Sequence, residues 1–170
     1  MPIRTDSGHM QADDLESDLR QAAAQRRLAI QRERILIVNA ALTGHSQTLI
    51  ARLIGVSQPH VSRTLASVKA AHDGNLRPLT LSPLDIIDRR DAGEIDSAFM
   101  MEELQKISYT DGHAPMVGGM PTDAYVRGSW DDIELAFQQD KLTFDEYSAL
   151  FEAHRHRRKP VASERDDAPF

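Results

Sequence analysis

The sequence predicts an all-α fold, and three observations carry that expectation. Residues 13–42 contain neither proline nor glycine and are rich in Ala, Leu, Arg and Gln, which all favour helices. Residues 47–65 place their apolar side chains at helical period. Beyond residue 80, helix-start signals recur at Ser82-Pro83, Asp96, Ser129 and Thr143 with Glu146.

The elements follow in order. Residues 1–12 form a polar segment with no periodic pattern, expected to be mobile. Structure is expected from Asp13, where Asp13, Asp14, Glu16 and Asp18 suit a helix N-terminus. The helix should run to Leu42, with Gly44 ending it and Ser46 capping the next. Leu15, Leu19, Ala23, Ile30 and Ile37 trace an imperfect stripe interrupted by Arg26, Arg27 and Arg34. That stripe fits a dimerising coiled coil. It fits better a helix whose second half, with Ile35, Ile37, Val38 and Ala41, completes a three-helix core, and both arrangements can coexist.

The run Gln47 to Leu65 is the most specific feature of the chain. Two helices cross closely only where a small residue sits at the contact, and Ala51 stands four residues before Gly55. Gly55 supplies the backbone freedom of a tight turn. Leu49, Ile50, Leu53 and Ile54 give the first helix an apolar face, and Val56, Val61 and Leu65 give the second its inward stripe. Ser57 is a natural N-cap, and Pro59 lies in the first turn, where its missing N–H costs nothing. Gln58, His60, Ser62, Arg63 and Ser67 remain for the outer face, all polar and without an acid.

This stretch resembles the helix-turn-helix of bacterial and phage transcriptional regulators, through Ala51, Gly55, Val56, Ser57-Gln58-Pro59, Val61-Ser62-Arg63 and Leu65. About twenty of the 170 residues carry the resemblance. It implies that the helix 58–67 enters the major groove of double-stranded DNA while the first helix crosses the phosphate backbone. Under that docking Arg63 would pair with guanine O6/N7 and Gln58 with adenine N6/N7, each worth roughly 1–3 kcal/mol of discrimination. Ser62 and His60 share the base-reading face, although an exposed bystander role fits His60 equally well. Gln47, Thr48, Arg52, Ser57, Ser67 and Lys69 would hold phosphates and set register. An ordinary helical hairpin in a core would share the apolar period, but not the Gly-Val-Ser-Gln-Pro turn or the acid-free outer face.

Residues 73–81 read as a turn and extended linker, from Asp73-Gly74-Asn75 and Arg77-Pro78-Leu79-Thr80. The first domain is thus a helix-turn-helix unit with a long preceding helix, residues 13–72. Residues 82–154 are expected to form a second domain of two helical hairpins, 82–104 and 129–154, the first turning at Asp91-Ala92-Gly93 and the second at Asp140-Lys141. At an offset of 47 residues the hairpins share Ser82/Ser129, Asp85/Asp132 and Ile86/Ile133, a suggestion of internal repetition. The second, with Lys141-Leu142-Thr143 and Glu146-Tyr147, faintly resembles short C-terminal helical modules that imply partner binding or oligomerisation. Residues 109–128 read as a loop, and Gly118-Gly119 lacks the context of a phosphate-binding loop. Residues 155–170 are expected to be a disordered tail.

The net charge of −6 conceals a split. Residues 20–80 carry nine cations against two anions, a net of +7, and residues 81–154 carry five cations against sixteen carboxylates, a net of −11. A basic half could lie on phosphates while an acidic half faces away, or the acidic surface could simply be solvated. Arginine outnumbers lysine sixteen to four, and with abundant alanine this hints at a GC-rich source.

No enzyme constellation holds. Only His154 and His156 among the seven histidines are closely spaced, and Arg155, Arg157, Arg158 and Lys159 would oppose a divalent cation there. The carboxylates lack EF-hand spacing, Trp130 and Met100-Met101 read as core, and no cofactor is implied. With no cysteine, no apolar stretch near the roughly 20 residues of a membrane span and no signal-peptide core, a cytoplasmic protein without membrane contact is expected. The functional expectation is a sequence-specific DNA-binding regulator acting as a repressor, working as a homodimer, with a protein partner conceivable for the acidic half. The alternative is the DNA-recognition subunit of a larger assembly, such as a phage small terminase or a plasmid-partition component.

Overall fold

The computed structural model describes residues 7–110, 116–117, 120–121 and 128–158. The fold is all-α, with helices α1 (Ser7–Leu42), α2 (Gln47–Ile54), α3 (Gln58–Ala70), α4 (Pro83–Asp91), α5 (Ser97–Lys106), α6 (Asp131–Gln138) and α7 (Phe144–Arg158). Where a loop was expected between 109 and 128, two short strands, β1 (Met116–Val117) and β2 (Met120–Pro121), pair antiparallel with Met116 opposite Pro121. Most of that segment lies outside the described residues, as do residues 1–6 of the expected mobile start and 159–170 of the expected tail. No helix among the described residues is long and apolar enough to cross a membrane.

The chain divides into two units, the first made of residues up to 81 together with 88–94. Its main core joins Ile37 and Val38 of α1, Ile50 and Ala51 of α2, and Val61, Leu65 and Val68 of α3. α1 starts at Ser7 and not at Asp13, because Met10, Gln11 and Ala12 extend the helix-favouring run. It ends as expected: Gly44 adopts φ 89°, and the N–H groups of Gly44 and His45 return to the carbonyls of Ala41 and Ala40 at 3.1 and 3.0 Å. The expected linker is partly anchored, since Leu76 and Leu79 pack against this core.

A second patch of the same unit lies beside the expected stripe and moves the expected boundary. On α1 the buried residues are Ala24 and Leu28, which cluster with Ala92, whereas Leu15, Leu19, Ala23 and Ile30 are exposed. Arg27 grips Asp88 with two hydrogen bonds of 2.8 Å, and Arg32 meets Glu94 at 2.5 Å. Gln21 donates to the Ala92 carbonyl at 3.1 Å. The segment 88–94, assigned from sequence to the second domain, therefore neutralises two of the arginines counted towards the basic half. The Asp88 partner holds the Arg27 guanidinium above its ordinary pKa, against the opposing effect of burial.

The second unit comprises 82–87 and 95 onwards. Its core holds Ile86, Ile87, Met100, Leu104, Trp130, Ile133, Ala136, Leu142 and Leu150. Trp130 stacks on the His154 ring at 4.6 Å and meets Tyr109 edge-on at 5.3 Å, confirming it as core. α7 continues to Arg158, so residues 155–158 are helix and not tail. Arg157 explains part of that extension: it donates to the carbonyls of Ile107, at 2.8 Å, and Gln105, carbonyls that the end of α5 leaves free.

The repeat suggested by three identities extends to the backbone. Five hydrogen bonds recur at the 47-residue offset: Asp85 to Ser82 and Asp132 to Ser129, Ala92 to Asp88 and Gln139 to Leu135, Gly93 to Arg90 and Asp140 to Phe137, Glu94 to Arg89 and Lys141 to Ala136, Met100 to Asp96 and Tyr147 to Thr143. Gly93 and Asp140, at equivalent turn positions, both have positive φ. Ser82, Asp85, Ser129 and Asp132 are all buried, so each hairpin opens on a buried Ser and Asp three residues apart. The second hairpin closes with the Thr143–Glu146 capping box, in which each residue bonds the other's backbone N–H.

Candidate nucleic-acid interface

The α2-turn-α3 segment is built by local signals. Ser46 caps α2, its hydroxyl accepting from the Leu49 N–H at 3.3 Å, and Ser57 caps α3 in the same way from His60. Between them Gly55 sits at φ 75°, a conformation that Cβ-bearing residues resist, and the N–H groups of Gly55 and Val56 both reach the Ala51 carbonyl. A Cβ built on Gly55 would meet nothing within 4 Å, so backbone conformation, and not the helix crossing, demands glycine here. Ala51 is the residue buried at the contact. The apolar face of α2 is narrower than expected: Ile50 and Ala51 are buried, while Leu53 is 70% exposed.

On α3, Val61, Leu65 and Val68 point inwards. By helical period the opposite face carries Pro59, Arg63, Ala66 and Ala70, all exposed. Gln58, Ser62 and Lys69 form the flank beside α2, and His60, Thr64 and Ser67 form the flank beside α1. Arg63 presents its five-donor guanidinium at the outer surface. Gln58 donates to the Gln47 amide oxygen at 2.7 Å, which ties the first residue of α3 to the first residue of α2.

His60 departs from the expected outer face. Its Nε2 lies 2.8 Å from a carboxylate oxygen of Glu33 on α1, and the ring is half-buried. A recess of about 290 Å³ opens beside this pair, lined by Ile30, Glu33, Arg34, His60, Arg63, Thr64 and Ser67. Ser67 thus also turns towards α1. The expected phosphate contacts Thr48, Arg52, Ser57 and Lys69 are exposed, and Gln47 is half-buried by its bond to Gln58. From Arg34 to His72 the chain carries four cations and no carboxylate, so Glu33 is the acid nearest α3 in sequence on its N-terminal side.

The arrangement can make directional hydrogen bonds. Among the described residues no three His, Asp or Glu side chains are grouped to hold a metal ion. What sequence reasoning missed were the Gln47–Gln58 and Glu33–His60 pairs. The first had a visible signal, a glutamine opening each of two adjacent helices; the second joins residues 27 apart and had none. Comparison with protein-family models, curated proteins and solved structures finds no match.

Proposed function

We propose that this protein is a sequence-specific, double-stranded-DNA-binding transcriptional regulator of helix-turn-helix type, acting as a repressor in the cytoplasm. The observation that carries the reading is the row of exposed Gln58, half-buried Ser62 and exposed Arg63 on a helix capped at Ser57 and tied to α2 through Gln47, while Glu33, on the α1 flank, is engaged by His60. α3 would lie in the major groove, with Arg63 and Gln58 on base edges. Thr48, Arg52, Ser57 and Lys69 are placed on the exposed surface from which phosphates could be held. His60 would act at one remove, braced against Glu33 beside Arg63.

No chemistry on the DNA is required: occupancy of an operator excludes polymerase. One helix of this kind reads only a few base pairs, so useful specificity calls for two copies on paired half-sites. The experiment is a titration of the purified chain against duplex DNA across a salt series. A DNA reader with several phosphate contacts loses affinity steeply between 50 and 200 mM salt. Absence of DNA binding at low salt would reject the proposal in favour of a protein-interaction adaptor.

A further inference from the structure

α1 carries two apolar faces, and the first unit covers only one of them along its N-terminal half. Ala24, Leu28 and Gln31 are buried. On the opposite side Leu15, Leu19 and Ile30 are 59%, 62% and 60% exposed, with Ala22, Ala23 and Arg26 exposed between them. At 100° per residue, Leu15, Leu19, Ala22, Arg26 and Ile30 fall within a stripe about 80° wide, the width of a helix-pairing seam.

We propose that this stripe is a self-association surface on which the α1 helix of a second copy lies antiparallel, centred near Ala22 and Ala23. Charge selects both the occupant and its direction. The stripe is flanked at one end by the carboxylates of Asp14 and Asp18, Glu16 being held by Arg20 at 2.6 Å, and towards the other by Arg26, Arg27, Arg32 and Arg34. Arg27 and Arg32 are already held by Asp88 and Glu94, which leaves Arg26 as the cation on the seam itself. A parallel, in-register pair would set Arg26 against Arg26 and each acidic end against its own copy. The antiparallel pair sets Leu15 opposite Ile30 and Leu19 opposite Arg26, whose guanidinium then lies beside the carboxylate of Asp18 on the other copy. The two alanines at the centre let the helices approach closely. This supplies the two copies that the regulator reading requires; its seam lies on α1, with Ile30 at the rim of the recess that Arg63 also lines, and DNA recognition by α3 is tested separately by Arg63→Ala.

The chain has no cysteine, so single introduced cysteines report the register cleanly in the full-length protein. With a short bismaleimide, Ala22→Cys should link to itself. Leu15→Cys should not, because antiparallel copies hold the two residues 15 about 22 Å apart along the axis, yet a mixture of Leu15→Cys and Ile30→Cys should link. Light scattering should give a dimer for the native chain, and Leu19→Glu should weaken it about tenfold or more with unchanged helical circular dichroism. Asp18→Arg should also weaken the dimer, and Arg26→Asp added to it should restore the dimer. Self-linking of Leu15→Cys would overturn the proposal in favour of a parallel pair. A monomeric native chain, or a dimer indifferent to Leu19→Glu, would overturn the surface itself.

Discussion

Gln58 donates a side-chain N–H to the amide oxygen of Gln47 at 2.7 Å, joining the first residues of α3 and α2 across the turn. The bond spends one of two N–H groups of Gln58 and leaves its oxygen and second N–H free. Those two groups are what a bidentate contact to an adenine edge requires. Under the proposed function Gln47, placed from sequence among the phosphate contacts, would position Gln58.

Gln47→Ala should therefore weaken binding to the preferred site by about 0.5–1.5 kcal/mol, the usual worth of one hydrogen bond, with thermal stability unchanged. Equal weakening on preferred and scrambled duplexes would instead assign Gln47 to the phosphates alone.

Gly55 tests why the turn forms. Since a Cβ there meets no atom within 4 Å, Gly55→Val should cost about 1–3 kcal/mol through its positive φ alone. Gly55→Asn should cost clearly less, because asparagine tolerates that conformation. Chemical denaturation reads both, and equal losses would return the helix crossing as the cause.

Asp88 is buried and bidentate on Arg27, so Asp88→Ala should destabilise the chain by about 1–3 kcal/mol, below the cost for a fully buried pair because the Arg27 side chain is 45% exposed. Hydrogen exchange should then rise in residues 21–32 and 88–94 together. A rise confined to α4 would show that α1 does not depend on this segment.

The same patch carries a pH dependence. The hydrogen bond from Arg32, helped by Arg89, holds the Glu94 carboxyl below its usual range. A lowered folded-state pKa means that its contribution is complete above the ordinary glutamate range and fades as pH falls through the lowered value. Glu94→Gln should flatten the acid limb of the stability profile and lower stability at neutral pH by the same amount, a small one because the pair is partly solvated. An unchanged acid limb would remove Glu94 from the account.

Much of this was legible because it is local. Gly44, Gly55, Ser46, Ser57, Asp96 and the Thr143–Glu146 box each act within five residues of themselves, and the turns and helix starts they predict are present. The failures are long-range. The second apolar face of α1, Ala24 and Leu28, was not foreseen because Ala92 and Asp88, which meet that side, lie more than sixty residues away. Arg157 was placed in a tail because the carbonyls it caps are some fifty residues earlier. Within the interface, helical period placed Arg63, Ser62 and Gln58 outwards, but could not foresee that Glu33 would draw His60 towards α1.

Fluorescence anisotropy decides whether α3 reads DNA through Arg63. The native chain and Arg63→Ala would be titrated against the duplex upstream of the protein's own gene and against a scrambled duplex, at two salt concentrations. The expected result is tight, salt-sensitive binding by the native chain that falls to the scrambled level in the variant, with the fold intact by circular dichroism. Undiminished selectivity in Arg63→Ala, or equal weak binding of the native chain to both duplexes, would contradict it.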